Sequence, residues 1–225
     1  VEGIEFHVYF KPDSSAAAQA ALDTLVGSAE VFSSLFGDYP FESLTTAQID
    51  MFDGMEYDGI FFLGRDVFPA YDHTNKNIFT LLVVHETSHN WWFSQVANDQ
   101  AMEPWLDEAM ATYCELLFLE QKHPELVEWW WDFRVNDADP FGPVDVSIYD
   151  YFDYERYRLA VYLRGALFLQ AVRDEIGDDA FFGFLEQYYQ DGKGKVASAD
   201  LFFASLEQIS EQDLDHLRIE YFKPE

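Results

Sequence analysis

Apolar and polar positions alternate from Ile4 to Phe10 (I-E-F-H-V-Y-F), the period of a half-buried strand, with His7 on its polar side. Beyond Pro12 the pattern changes: Ser14 opens an Ala-rich helix predicted to run to about Phe36, where Gly37 stops it. Leu44 to Ile49 reads as a weaker strand, and Ile60-Phe61-Phe62-Leu63 as an apolar one closed by Gly64. Just before it, Asp53-Gly54-Met55-Glu56-Tyr57-Asp58-Gly59 sets glycines around a Met-Glu pair. That stretch reads either as a hairpin turn or as a backbone that must lie close to something. Asn77 to Ala97 has strong helical character, with Asn75 or Asn77 as its cap. Ile78, Leu81, Leu82, His85, His89, Trp92 and Val96 form its apolar stripe at the 3.6-residue period. Pro104 suits the first turn of the next helix, Trp105 to about Gln121, which ends before Pro124. A Trp-rich helix (Trp129, Trp130, Trp131) over 124–134 reads as core and cleft wall, and Asn136 to Tyr151 as a loop. A long helix is predicted from about Asp153 to Ile176, closed by Gly177, followed by helices near 178–190, 198–209 and 211–221.

This layout predicts an α+β fold: one domain over 1–225, with a mixed α/β lobe at 1–75 and a helical lobe at 76–225. There is no internal repeat and no interdomain linker. Apolar residues at 49% and aromatics at 18% are enough for a sizeable core. No run of eighteen apolar residues offers a membrane span, so no membrane insertion by this chain is expected. Val1 to Phe10 reads as strand rather than signal peptide. Cys114 is the only cysteine, which excludes a disulfide framework, and its apolar helix marks it as a buried packing thiol.

Charge narrows the partners. Asp and Glu number 42 against 13 Lys and Arg, a formal net charge of −29. Phosphate backbones and anionic membrane surfaces are repelled by such a chain, so no nucleic-acid partner is expected.

Candidate chemistry sits on the apolar stripe of the helix predicted from Asn77. His85-Glu86-Thr87-Ser88-His89 reads H-E-x-x-H, and four residues make slightly more than one turn, so both histidines project from one face. Two neutral imidazoles at that spacing can grip one divalent metal, with Glu86 beside them to act on water. Glu108, nineteen positions after His89, supplies a third ligand from the next helix. Three protein ligands leave a fourth zinc position open, the arrangement of a catalytic rather than a structural site. One Zn2+ per chain is the expected cofactor.

The chain resembles the catalytic domain of the gluzincin metallopeptidases of the membrane alanyl aminopeptidase and leukotriene hydrolase family. The resemblance rests on H-E-x-x-H and on W-L-x-E-x-x-A-x-Y, here Trp105, Leu106, Glu108, Ala111 and Tyr113. The family's Gly-x-Met-Glu-Asn signature, whose Glu grips the substrate's free α-amino group, is matched by Asp53-Gly54-Met55-Glu56-Tyr57. Met55 and Glu56 are kept, while Asp53 and Tyr57 replace the opening Gly and closing Asn. The family's Tyr-x-Lys-Gly, whose Tyr donates to the oxyanion, resembles Tyr162-Leu163-Arg164-Gly165, with Arg for Lys. The resemblance therefore points to Tyr162 over Tyr157 and Tyr154. It implies a thermolysin-like fold, with strands and helices flanking a zinc cleft, and substrate-binding roles for Gly54, Met55 and Glu56. It also implies that this chain is part of a longer multidomain protein, because family members carry a β-rich domain before this one and a helical domain after it.

The resulting expectation is a zinc aminopeptidase acting on peptides, with His85, His89 and Glu108 on the metal, Glu86 as base and Tyr162 on the oxyanion. Two alternatives are a zinc endopeptidase or other hydrolase that needs no free amine, and a peptidase-like interaction domain without efficient turnover. An extracytoplasmic setting is expected. The acidity fits a salt-adapted source or an attraction to cationic substrates. Under the first reading, unfolding midpoints rise as salt is added; midpoints that stay level or fall count against it.

Overall fold

The computed structural model of the chain describes every residue except Phe152, Glu211 and Glu225. Its first third is a sheet of β1 (Glu5–Tyr9), β2 (Ser43–Gln48), β3 (Gly54–Tyr57) and β4 (Ile60–Leu63), in the order β1-β2-β4-β3. β1 and β4 run parallel to β2, and β3 runs antiparallel to β4 at the edge. Parallel neighbours need a crossover, and α1 (Ser15–Leu35) provides it between β1 and β2. Its buried row Ala18, Ala21, Leu25, Ala29 and Phe32 is the apolar face of the Ala-rich helix.

Both readings of the glycine-flanked stretch hold in part. Asp58 and Gly59 form the hairpin turn, with Gly59 at φ +69°, while Gly54 to Tyr57 is itself a strand. At Gly54 the backbone comes so close to the next helix that an added Cβ would overlap the Glu86 carboxylate.

α2 (Ile78–Ser88) starts at Asn77, whose Oδ1 accepts the Thr80 N–H at 2.9 Å. It ends at Ser88 with His89 as its cap, well short of Ala97. Tight turns follow, and Val96 to Asn98 forms β5 (Val96–Asn98), paired in parallel with β6 (Lys195–Ala197). A partner that distant leaves no local signal, so the helical reading of this segment is corrected. Trp92 and Val96 are nevertheless buried, 0% and 3% exposed, so the stripe marked core positions rather than helix.

The remainder is helical apart from β6. α3 (Trp105–Lys122) packs on α2 and is followed by a 3₁₀ turn (Pro124–Leu126) and α4 (Val127–Trp130). A π-helical turn (Trp131–Val135) and a 3₁₀ turn (Asn136–Ala138) complete that segment, and of its three tryptophans only Trp130 is fully buried. The predicted long helix is present in three pieces: α5 (Tyr154–Arg158), a π-helical stretch (Leu159–Arg164) and α6 (Gly165–Ile176). π-helical turns are rare and concentrate at functional sites, and this one carries Tyr162. α7 (Asp178–Gly192), α8 (Ala199–Ser210) and α9 (Asp215–Tyr221) close the chain. The predicted start of the last helix at Glu211 lies outside the described residues.

The helical core is aromatic. Trp105 meets Phe202 edge-on at 4.9 Å and Phe222 at 5.0 Å, while Trp92 stacks on Tyr188 at 5.8 Å. Cys114 is buried in the same core, as its apolar helix predicts. α6 reaches α3 through Gly165, where a Cβ would overlap the Ala109 methyl. Gly165→Val therefore forces the two helices apart and is expected to cost about 1–3 kcal/mol in urea unfolding. An unchanged unfolding midpoint contradicts that packing.

Candidate active site

Asn90, one residue past His89, ties the sheet to the metal helix. Its Oδ1 accepts from the Gly59 N–H at 3.0 Å and the Tyr39 hydroxyl at 3.2 Å, and its Nδ2 donates to the Thr87 carbonyl at 2.9 Å. Ser94 adds a hydroxyl hydrogen bond to Asp58 at 2.6 Å. The β3–β4 hairpin is thereby pinned beside α2, and its edge strand forms one wall of a cavity of about 790 Å³. α2 and α3 supply the floor, and Phe133, Arg134, Tyr154 and Tyr162 the opposite wall.

His85, His89 and Glu108 come together on that floor, with one donor atom from each within 4.8 Å of the others. His85 Nε2 lies 3.1 Å from Glu108 Oε2, and His89 Nε2 lies 3.6 Å from the same oxygen. Both imidazoles are nearly inaccessible, at 4% and 2% exposure. Their far sides are occupied: His85 Nδ1 faces Glu115 Oε1 at 3.2 Å, and His89 Nδ1 faces the Trp92 carbonyl at 3.0 Å. A carboxylate and a carbonyl only accept, so each Nδ1 carries the proton and each neutral ring offers its Nε2 lone pair inward.

Three lone pairs thus converge in a buried space. A cation must sit among them, either protons on the rings or one metal ion, and the His₂Glu set with fixed outer partners fits a divalent metal such as zinc. In the metal-free protein protons take that place. Burial pushes His85 down, but the Glu108 and Glu115 carboxylates reverse this and carry it to about 9. His89 is likewise raised, because Glu108 outweighs its burial. Burial works against Glu108 as well, yet the two imidazoles hold its carboxyl far below the usual carboxylate range.

Glu115 is a residue that sequence reasoning missed. It is 0% exposed and its carboxylate is fully used: Arg134 Nε and Nη2 donate at 2.9 Å each, and Trp130 Nε1 at 2.9 Å, besides His85. Against the pull of burial, Arg134 keeps this carboxyl ionised, lowered to about 2. Its position seven residues after Glu108, on the same face of α3, was a readable signal. Nothing local announced its Arg134 partner, which stands on the π-helical turn.

The other expected residues are also present. Glu86 lines the cavity beside the histidines; its Oε2 is buried without a hydrogen-bond partner among the described residues. Burial raises its carboxyl to about 8, more than the two imidazoles lower it. Glu56, on β3, lies with Glu86 and His89 in a second close group. Gly54 and Met55 line the same wall. The Tyr162 ring lies parallel to His85, 5.9 Å between centroids and 6° between planes. Burial, and then the Glu108 charge, raise the Tyr162 hydroxyl well above the ordinary phenol value, so it stays protonated. Tyr157 packs edge-on against Tyr162 at 5.9 Å and does not line the cavity; Tyr154 does.

Residues 20–221 match the Peptidase family M1 domain, so the chain belongs to peptidase family M1. Endoplasmic reticulum aminopeptidase 1 of Mus musculus is 29% identical over 84% of this chain and 22% of its own length. Aminopeptidase M1-B of Oryza sativa subsp. japonica is 24% identical over 99% of this chain and 27% of its own length. The M1 zinc metallopeptidase from Deinococcus radiodurans shares the fold, with a TM-score of 0.68 at 24% identity, over 95% of this chain and 44% of that one. This chain spans about a quarter of the length of the curated relatives it matches. Among the described residues no helix is long and apolar enough to cross a membrane.

Metal and protons compete for the same Nε2 atoms, so zinc affinity is expected to climb as pH rises toward about 9, where His85 loses its proton in the metal-free protein. Glu115→Gln is expected to lower that affinity by about 10–100-fold at fixed pH, because His85 loses its ionised partner. Competition against a chromophoric chelator reads both. A pH-independent affinity, or a Glu115→Gln protein that is folded by circular dichroism and binds zinc as before, contradicts the geometry.

Proposed function

We propose that this chain is the catalytic domain of a zinc aminopeptidase, with His85, His89 and Glu108 as metal ligands. The observation that carries the reading is the Glu86 carboxylate, whose buried Oε2 has no partner among the described residues, beside three converging metal donors, with Glu56 on the facing strand. Zinc bound there supplies positive charge that acidifies a water, lowers Glu86 from its metal-free value and polarises the scissile carbonyl.

The protein's own groups divide the remaining work. Glu56 pairs with the ammonium of the substrate's first residue and sets which peptide bond reaches Glu86. Glu86 takes the proton of the attacking water and delivers it to the leaving amine. Tyr162 donates its hydroxyl hydrogen to the oxygen that gains negative charge; its raised pKa keeps that hydrogen in place at neutral pH. The stacked His85 ring and the Gly165 contact hold the phenol where it stands.

The family membership and the names of the relatives support the peptide substrate, and the chain's share of their length supports a longer multidomain protein. The compartment in the names of the endoplasmic reticulum aminopeptidase relatives supports an extracytoplasmic setting.

Glu86→Gln is expected to keep one equivalent of zinc while cleavage of an amino-acid amide falls by about 10²–10⁴-fold. A variant that turns over like the wild type overturns Glu86 as base. Blocking the substrate's amino group is expected to abolish cleavage; equal cleavage of blocked and free peptides would favour an endopeptidase, and zinc without any cleavage a binding role.

A further inference from the structure

Gln100 takes no part in the chemistry above, yet it lines the cavity. It sits in the turn between β5 and α3, where Asp99 Oδ1 accepts the backbone N–H groups of Ala101 and Met102 at 3.1 Å each. From this braced position its carboxamide nitrogen donates twice, to Glu56 Oε1 at 2.8 Å and to Asp107 Oδ2 at 2.9 Å. An amide nitrogen carries two hydrogens, so both bonds form together without competing.

Each end of this bridge has a consequence. Asp107 is 0% exposed, immediately precedes the Glu108 donor on α3, and accepts the Glu108 backbone N–H on its other oxygen at 2.9 Å. Its side chain cannot swing, so the Gln100 nitrogen is fixed relative to the metal donors. Glu56 is in the opposite situation. It stands on an edge strand at the cavity wall, and among the described residues Gln100 makes the one hydrogen bond to its carboxylate, so nothing else there opposes its rotation toward water. A donor aimed at Oε1 opposes that rotation and leaves the second carboxylate oxygen to meet a ligand.

We propose that Gln100 is a positioning residue: by bridging Glu56 to Asp107, it holds the ammonium-binding carboxylate at a set distance from the metal donors. Preference for a free amino terminus then depends on Gln100 as well as on Glu56. This rests on the amino-anchor reading of Glu56 given above.

The test uses Gln100→Met, which keeps the side chain's length and removes both donors, in the zinc-loaded chain. Calorimetry compares L-leucine hydroxamate with 4-methylpentanohydroxamate, which lacks only the amine, so the readout needs no turnover. The wild type is expected to bind the amine-bearing probe more tightly. Gln100→Met is expected to lose about 10–100-fold of that affinity, the effect of a lost hydrogen bond to a charged group, and to bind the amine-free probe as before. Gln100→Glu, which sets a carboxylate against Glu56, is expected to lose at least as much. A merely structural role would weaken both probes together, and that result, or a variant with the wild-type gap between probes, overturns the proposal. A wild type that shows no gap sinks the amino-anchor reading itself, and is seen before any variant is made.

Discussion

Two imidazole nitrogens and a carboxylate oxygen aimed at one another inside a protein need a cation between them, and much of this molecule is arranged around that requirement. The inward lone pairs exist only because the outward nitrogens are tied down, His85 to Glu115 and His89 to the Trp92 carbonyl. Glu115 in turn is a buried charge that would be untenable alone. Arg134 and Trp130 make it tenable, so the segment after α3 holds the partner of His85 as well as walling the cleft. Sequential coupling of this kind is how outer partners set the basicity and orientation of metal ligands.

The cleft around that centre depends on close approach. Gly54 lets an edge strand lie against Glu86, and Gly165 lets α6 lie against α3 at Ala109. Asn90 locks the hairpin to the end of the metal helix, so the strand bearing Glu56 and the helix bearing Glu86 keep a common reference. The π-helical stretch before Gly165 then turns Tyr162 over the His85 ring. Glu56, Glu86 and Tyr162 therefore stand on three different elements, and those of Glu56 and Tyr162 are fixed to the floor by separate contacts.

Much of this was legible in the sequence, and for identifiable reasons. The histidine pair, Glu86 and the helix caps at Asn77 and Gly177 follow from local periodicity and terminus chemistry, which a single segment carries by itself. Glu108 came from its spacing within a motif, and Glu56 and Tyr162 from a family resemblance. What stayed hidden depends on contacts between distant residues. β5 forms because Lys195–Ala197 lies beside it, and without that partner Val96 reads as a continuation of a helical stripe. Glu56 was visible as a residue, but the strand that carries it was masked by flanking glycines that signal turns. Gln100 and Arg134 gave no signal at all, since a polar residue on a turn and a cation on an amphipathic segment both look like solvated surface until their buried partners are known.

The proposed chemistry requires the Nε2 atoms of His85 and His89 and the carboxylate of Glu108 to hold one zinc ion. Anomalous diffraction at the zinc edge, from crystals grown with one equivalent of the metal, tests it most directly. The expected result is a single peak bonded to those three side chains, with Glu115 and the Trp92 carbonyl still on the far nitrogens. No peak there, or a peak bonded through Nδ1 or centred on other residues, would contradict it.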